Sequence, residues 1–286
     1  MRLLALLLGL IAFGAPRTGA EERTAEKQIA AIETRIGGRI GLAAVDTASG
    51  QRLTHRSDER FALCSTFKFL AAAAILDRVD REQENLDRFV CYGKADLLEY
   101  APVTRKHVAE GGMTLGALCD AALTVSDNTA GNLLLKAIGG PGGLTLYART
   151  LGDKKTRLDR MEPELNKLAP GEERDTTTPA AMLGNLRALL LGDALSATSR
   201  VRLNAWLTQN RTGQSLIRAG VPNDWKVGDK TGRSRDGALD DIAILRPPGK
   251  APILLALYTI SSKHVPQEQE AALAEVTRVV RAVLRK

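Results

Sequence analysis

The chain runs to 286 residues with 40 lysines and arginines against 33 aspartates and glutamates, a net charge of +7 at pH 7. That length is enough for one or two domains with a full core. A charge this small, spread along the chain, speaks for a mixed solvated surface and against a nucleic-acid partner. Three cysteines, Cys64, Cys91 and Cys119, leave at least one thiol unpaired, and no disulfide, metal site or cofactor is expected.

Residues 1–20 begin with Arg2, continue through an apolar run from Leu3 to Ala15 and end at Thr18-Gly19-Ala20, the small-residue pattern of a secretory signal. The run is shorter than the about 20 residues that a helix needs to cross a bilayer about 30 Å thick. The mature chain, from residue 21, is therefore expected to be soluble, periplasmic or secreted, with no membrane partner. Ile29, Ile32 and Ile36 at helical spacing predict a helix over 22–36, ended by Gly37-Gly38. Residues 39–46 and 52–55 read as a hairpin around the turn Thr47–Gln51. A second helix is predicted over 66–79, and its run from Phe67 to Leu76 is apolar nearly all round, which marks a buried helix.

Helical patterns follow over 115–125, 129–138, 144–151, 179–190 and 199–209, with an irregular stretch between the third and the fourth. Strands return near 226–231, 238–245 and 253–260, and a last helix is predicted over 266–284. No repeat or low-complexity linker interrupts this order, so the helical middle is an insertion between two sheet-forming ends. The expected fold class is α/β in content and α+β in layout: one antiparallel sheet built from both termini and flanked by terminal helices, with an inserted helical domain. The sheet part is expected at about 21–62 and 221–286, and the helical part at about 63–220.

Three short strings stand in order along this framework: Ser65-Thr66-Phe67-Lys68, Ser126-Asp127-Asn128 and Lys230-Thr231-Gly232. From average residue usage, one S-x-x-K is expected by chance in a chain this long, but each exact tripeptide only about 0.03 times. On a helix, positions i and i+3 share a face, so Ser65 and Lys68 can touch. Taken alone, Ser65 is an N-cap and Lys68 a surface charge. A lysine inside an apolar run is costly, however, unless it is paired or performs chemistry, and burial beside other cations lowers its pKa. Ser126-Asp127-Asn128 makes an ordinary helix cap, or else Ser126 passes a proton to a leaving nitrogen, Asn128 binds a substrate amide and Asp127 braces the turn. Lys230 is a solvated strand lysine, or, beside a glycine on an edge strand, it holds a ligand carboxylate together with Thr231. Cys64 reads as a small buried hydrophobe, and His55, His107 and His264 lie in no catalytic motif.

With these motifs the chain resembles the class A serine β-lactamases over essentially its whole mature length. The irregular stretch adds Arg160-Met161-Glu162-Pro163-Glu164-Leu165-Asn166, similar to the E-x-x-L-N element of that class, and Asp175. The resemblance implies an Ω-loop closed by Arg160 and Asp175, 16 residues long. Without it, Glu162 is an exposed loop charge and Arg160 with Asp175 a weak surface pair. It further implies β-lactam substrates, a serine β-lactamase/DD-peptidase-like fold and Ser65, Lys68, Ser126 and Glu162 as catalytic residues. Asn128, Asn166, Lys230, Thr231, Arg233 and Tyr100 would bind substrate. Ser65 would be acylated, the backbone N–H groups of Ser65 and Arg233 would form the oxyanion hole, and Glu162 with Asn166 would hold the deacylating water. The peptide before Pro163 is often cis in the family, and the default state is a monomer.

Two departures stand out. The positions where the family commonly places a carboxylate-binding arginine hold Leu239 and Leu216, which leaves Arg233, Arg235 and Arg218 as candidates. Cys64 sits where some carbapenem-hydrolysing members form a disulfide, but the partner position is Ser234, so carbapenem turnover is not implied. Two competing readings remain. A penicillin-binding protein or DD-peptidase shares the three motifs but lacks the glutamate, and a noncatalytic binding module rests on the basic composition alone.

Overall fold

A computed structural model describes residues 19–284 except Leu168, Pro170 and His264. Residues 1–18 of the expected signal and His264 lie outside the described residues. Helix α1 (Gly19–Ile36) turns Ala25, Ile29, Ile32 and Ile36 inward and leads into the hairpin β1 (Gly38–Asp46) and β2 (Arg52–His55). The last third of the chain supplies β7 (Lys226–Arg233), β8 (Ala238–Arg246), β9 (Ile253–Ser261) and α8 (Pro266–Leu284). These strands form one five-stranded antiparallel sheet in the order β2-β1-β9-β8-β7, so both ends of the chain meet in the centre of the sheet.

The period-2 alternation of strands sorts the sheet's side chains to two cores. Ile40, Leu42 and Ala44 of β1, with Leu255 and Leu257 of β9, pack against α1 and α8. Ala43, Val45, Ile242, Ile244, Ala256 and Tyr258 face the helical part. With both faces covered, β8 and β9 are buried nearly throughout.

The helical part surrounds α2 (Phe67–Asp80), whose first ten residues, Phe67 to Leu76, are all buried. Against it lie α3 (Leu115–Thr124), α4 (Asn128–Ala137), α5 (Gly140–Thr150) and α7 (Ala197–Thr208), while α6 (Pro179–Leu190) packs between the sheet and α7. Helix α5 starts four residues before the predicted 144: Gly139-Gly140-Pro141-Gly142-Gly143 reads as a turn, yet Pro141 in the first helical turn suits a helix start. Two further two-stranded pairings, β3 (Phe61–Ala62) with β6 (Thr176–Thr177) and β4 (Phe89–Cys91) with β5 (Gly112–Thr114), are too short to leave an alternation pattern. No helix among the described residues is long and apolar enough to cross a membrane.

Candidate active site

Ser65 does not open α2 directly. It lies in a single 3-10 turn, Cys64–Thr66, ahead of the helix, and Cys64 holds a left-handed φ of 40°. That conformation costs a non-glycine residue on the order of 1–3 kcal/mol and persists only where the surroundings impose it. One turn on, Lys68 is fully buried, and its Nζ donates to Ser65 Oγ at 2.8 Å, to the Ser126 carbonyl at 2.9 Å and to Asn128 Oδ1 at 2.7 Å. Gly131 of α4 makes room for this lysine, since a Cβ there would stand 2.6 Å from Lys68 Cε.

Ser126 adopts a left-handed φ of 59°, which turns its hydroxyl between two lysine nitrogens, 3.3 Å from Lys68 Nζ and 3.1 Å from Lys230 Nζ. The cap of α4 is Asp127, not Ser126. Its buried carboxylate accepts from Ala130 N at 2.9 Å, Val103 N at 3.0 Å, and Thr104 N and Oγ1 at 2.9 Å each, tying the loop that carries Tyr100 to the Ser126 turn. Lys230 is likewise buried completely rather than solvated. Burial, reinforced by the charge of Lys68, pulls its pKa down to about 7. Burial also lowers the Lys68 pKa, with the Glu162 carboxylate pulling the other way.

Glu162 approaches from the irregular stretch. Its Oε1 stands 3.2 Å from Ser65 Oγ and 3.3 Å from Lys68 Nζ, with both charged side chains sealed from solvent. Asn166 Nδ2 donates to Oε2 at 2.5 Å. The Glu162-Pro163 peptide is cis. Residues 160–175 are pinned by Asp175, fully buried, which accepts from Asp159 N at 2.7 Å, Arg160 N at 2.9 Å and Arg160 Nε at 2.5 Å. This pair is an interior clamp and not the weak surface bridge that the residues alone suggest. The side chains of positions 65, 68, 126, 162 and 230 thus meet in one hydrogen-bonded network between β7 and the helical part.

Comparisons with known proteins agree with that geometry. A family profile described as the β-lactamase enzyme family matches residues 24–284. The chain is 52% identical over 256 residues to β-lactamase AST-1 of Nocardia asteroides, covering 90% of this chain and 82% of that protein. A solved class A β-lactamase of the last common ancestor of Gram-negative bacteria superposes with a TM-score of 0.90 at 56% identity, covering 92% of this chain and 100% of that one. The putative class A β-lactamase PenP from Rhodopseudomonas palustris gives 0.89 at 52% identity, covering 91% and 99%. The chain belongs to the class A serine β-lactamases.

Several residues of this class A site carry no motif signal. Asn132 grips the Glu162 peptide from both sides, Nδ2 donating to the Glu162 carbonyl and Oδ1 accepting from Glu162 N, both at 2.9 Å. Its spacing of four from Asn128 on α4 is the one hint in the sequence that both face the cleft. Thr212 shares a 2.5 Å hydrogen bond with the Thr231 hydroxyl. On the free edge of β7, Thr231 and Arg233 point to the same side by alternation, opposite Asp241 and Leu239.

Of the three candidate arginines, Arg218 is committed to buried Asp229, its Nε donating to Oδ1 at 2.6 Å. The Arg233 guanidinium, about half exposed, pairs with Glu270 of α8 at 2.5 Å. Arg235 meets Glu99 at 3.1 Å between two exposed loops. Tyr100 is 50% exposed at the rim, its hydroxyl donating to the Val125 carbonyl at 3.1 Å. Cys64 and Cys119 are buried and unpaired, and Cys91 is exposed. Among the described residues no His, Cys, Asp and Glu cluster could hold a metal ion.

Proposed function

We propose that the protein hydrolyses penicillins and cephalosporins through an acyl-enzyme on Ser65, and so confers β-lactam resistance. The observation that carries this reading is that Ser65 Oγ lies within hydrogen-bond reach of both a buried lysine amine at 2.8 Å and a buried carboxylate at 3.2 Å. A serine hydroxyl is a weak nucleophile until an adjacent base takes its proton, and each neighbour can do so. Burial favours the neutral, basic amine of Lys68.

Ser65 Oγ attacks the lactam carbonyl, and the oxyanion collects against the N–H groups of Ser65 and Arg233. The C–N bond breaks, and the leaving nitrogen takes the proton of Ser126, which regains one from Lys68 as that amine relays the proton lost by Ser65, with Lys230 on its other side. Glu162, oriented by Asn166 and Asn132, then removes a proton from water as it attacks the ester, returning that proton to Ser65. Asn128 orients the substrate amide, Tyr100 walls the cleft, and Lys230 with Thr231 docks the substrate carboxylate. Residues 160–175 serve as the Ω-loop that holds Glu162 over the nucleophile. The glutamate at the nucleophile favours hydrolysis over the slow acyl release of a penicillin-binding protein.

Residues 1–20 act as the signal, and the remainder, with sheet and helical parts divided near residues 62 and 221, works as a periplasmic or secreted monomer without a nucleic-acid partner. Nitrocefin turnover tests the reading: wild type should hydrolyse it catalytically and Ser65→Ala should not. Equal turnover by the two would remove Ser65 from the chemistry.

A further inference from the structure

Tyr258 of β9, Asp240 of β8 and Gly232 of β7 stand in register as one row across the sheet. The nucleophile turn Cys64–Thr66 is seated on that row. Thr66 Oγ1 lies 3.3 Å from the Tyr258 hydroxyl, and the Asp240 carboxyl and the Cys64 side chain come together at Gly232. A Cβ on Gly232 would stand 3.0 Å from Cys64 Cβ and 3.1 Å from Asp240 Oδ2. Because glycine has no side chain, the Asp240 carboxyl passes beneath it to the residue that precedes Ser65.

Asp240 is a strange residue for such a seat. It is fully buried; Oδ1 accepts one long bond, from Thr259 N at 3.2 Å, and Oδ2 has no hydrogen-bond partner of good geometry. Buried Asp175 and Asp229 each have an arginine within 2.6 Å. Asp240 has none. The groups that face it are the Cys64 thiol from the turn and the Tyr258 hydroxyl from β9, with Asp236 and Glu162 adding negative charge around Cys64. Lys230, two residues from Gly232 on β7, turns to Ser126 and the Thr231 carbonyl instead. An ionised carboxylate in this surrounding would be desolvated and uncompensated, and burial accordingly pushes the acid well above the usual carboxylate range.

We propose that Asp240 is a positioning residue held as the neutral acid, its O–H directed at Cys64 Sγ, so that the turn presenting Ser65 is fixed without a negative charge behind the oxyanion hole. This rests on the acylation of Ser65 proposed above. A carboxylate in that place would oppose the charge that develops on the lactam oxygen, whereas a neutral acid braces the strained φ of Cys64 and leaves the field of the backbone N–H groups intact.

The test compares wild type, Asp240→Asn and Asp240→Ala by urea unfolding at pH 5 and pH 8 and by nitrocefin kinetics at pH 7. Asparagine offers an N–H₂ where the acid offers its O–H. In the unfolded chain Asp240 ionises near pH 3.9, so between pH 5 and 8 the folded wild type binds one proton more than the unfolded chain and loses stability as the pH rises. Asp240→Asn lacks that slope, and its urea midpoint should gain on wild type between the two pH values. Its kcat should stay within about threefold of wild type, while Asp240→Ala lowers kcat on the order of tenfold at unchanged KM.

A midpoint difference equal at both pH values overturns the proposal, as does an Asp240→Asn enzyme less than a tenth as active as wild type. The unfolding comparison needs no β-lactam and no folded alanine variant. Absent turnover by wild type would therefore sink the hydrolase reading without touching the protonation of Asp240.

Discussion

Asp127→Ala removes the carboxylate that joins the Ser126 turn, α4 and the Tyr100 loop. Four donors lose their acceptor: Ala130 N, Val103 N, Thr104 N and the Thr104 hydroxyl. Thr104 and Ala130 are completely buried, so water cannot replace the lost bonds at their backbone N–H groups. Each buried orphan costs about 1–3 kcal/mol, while the half-buried Val103 N–H and the rotatable hydroxyl cost less. The sum is roughly 3–6 kcal/mol, a large part of the about 5–15 kcal/mol that holds a typical domain together. Urea unfolding followed by tryptophan fluorescence measures it. Asp127→Asn separates hydrogen bonding from packing, because an amide of the same shape turns an N–H₂ toward either Val103 and Thr104 or Ala130 and loses roughly half of the acceptors. A loss below about 1 kcal/mol for the alanine variant would refute the reasoning, as would an asparagine variant as stable as wild type.

Three further outcomes follow from the charges of the site. With the Lys230 pKa near 7, its ammonium is lost as the pH rises through 7, so KM for benzylpenicillin should climb by up to about tenfold per pH unit above that point. Lys230→Arg, charged throughout, should hold KM flat, and a wild-type KM constant from pH 6 to 9 would count against carboxylate docking there. Asp175→Ala strands Arg160 in its half-buried place, which should cost about 3–5 kcal/mol and slow deacylation more than acylation, read as a larger pre-steady-state burst; an unchanged kcat speaks against the clamp. Glu270→Gln frees Arg233 for the substrate carboxylate and should lower KM about threefold at low salt, with Arg233→Ala raising it. Movement of both variants in one direction would exclude Arg233 as an anion contact.

Much of the fold was legible because each long element carries its own period. Ile29, Ile32 and Ile36 mark the core stripe of α1, and the strands and the last helix lie within two residues of their predicted bounds. The motifs likewise named side chains that meet in space. What the sequence could not show is whatever depends on tertiary burial. Arg160 and Asp175 look like surface charges until β6 and its neighbouring loop enclose them. Lys230 looks solvated until β7 is found facing Ser126. Asp240 and Asp241 fall inside the predicted strand over 238–245, but nothing in the sequence shows that both are fully buried, on opposite faces of the sheet. The left-handed backbone at Cys64 and Ser126 has no compositional mark either, since neither is the glycine that such a φ favours.

The proposed mechanism needs an ester at Ser65 that Glu162 releases at speed. Intact-protein mass spectrometry of Glu162→Ala mixed with benzylpenicillin tests this directly. A stable mass increase of one penicillin is expected, located on the peptide containing Ser65, while wild type turns over and returns to its own mass. Wild-type deacylation rates in the alanine variant, or no adduct with turnover retained, would contradict it.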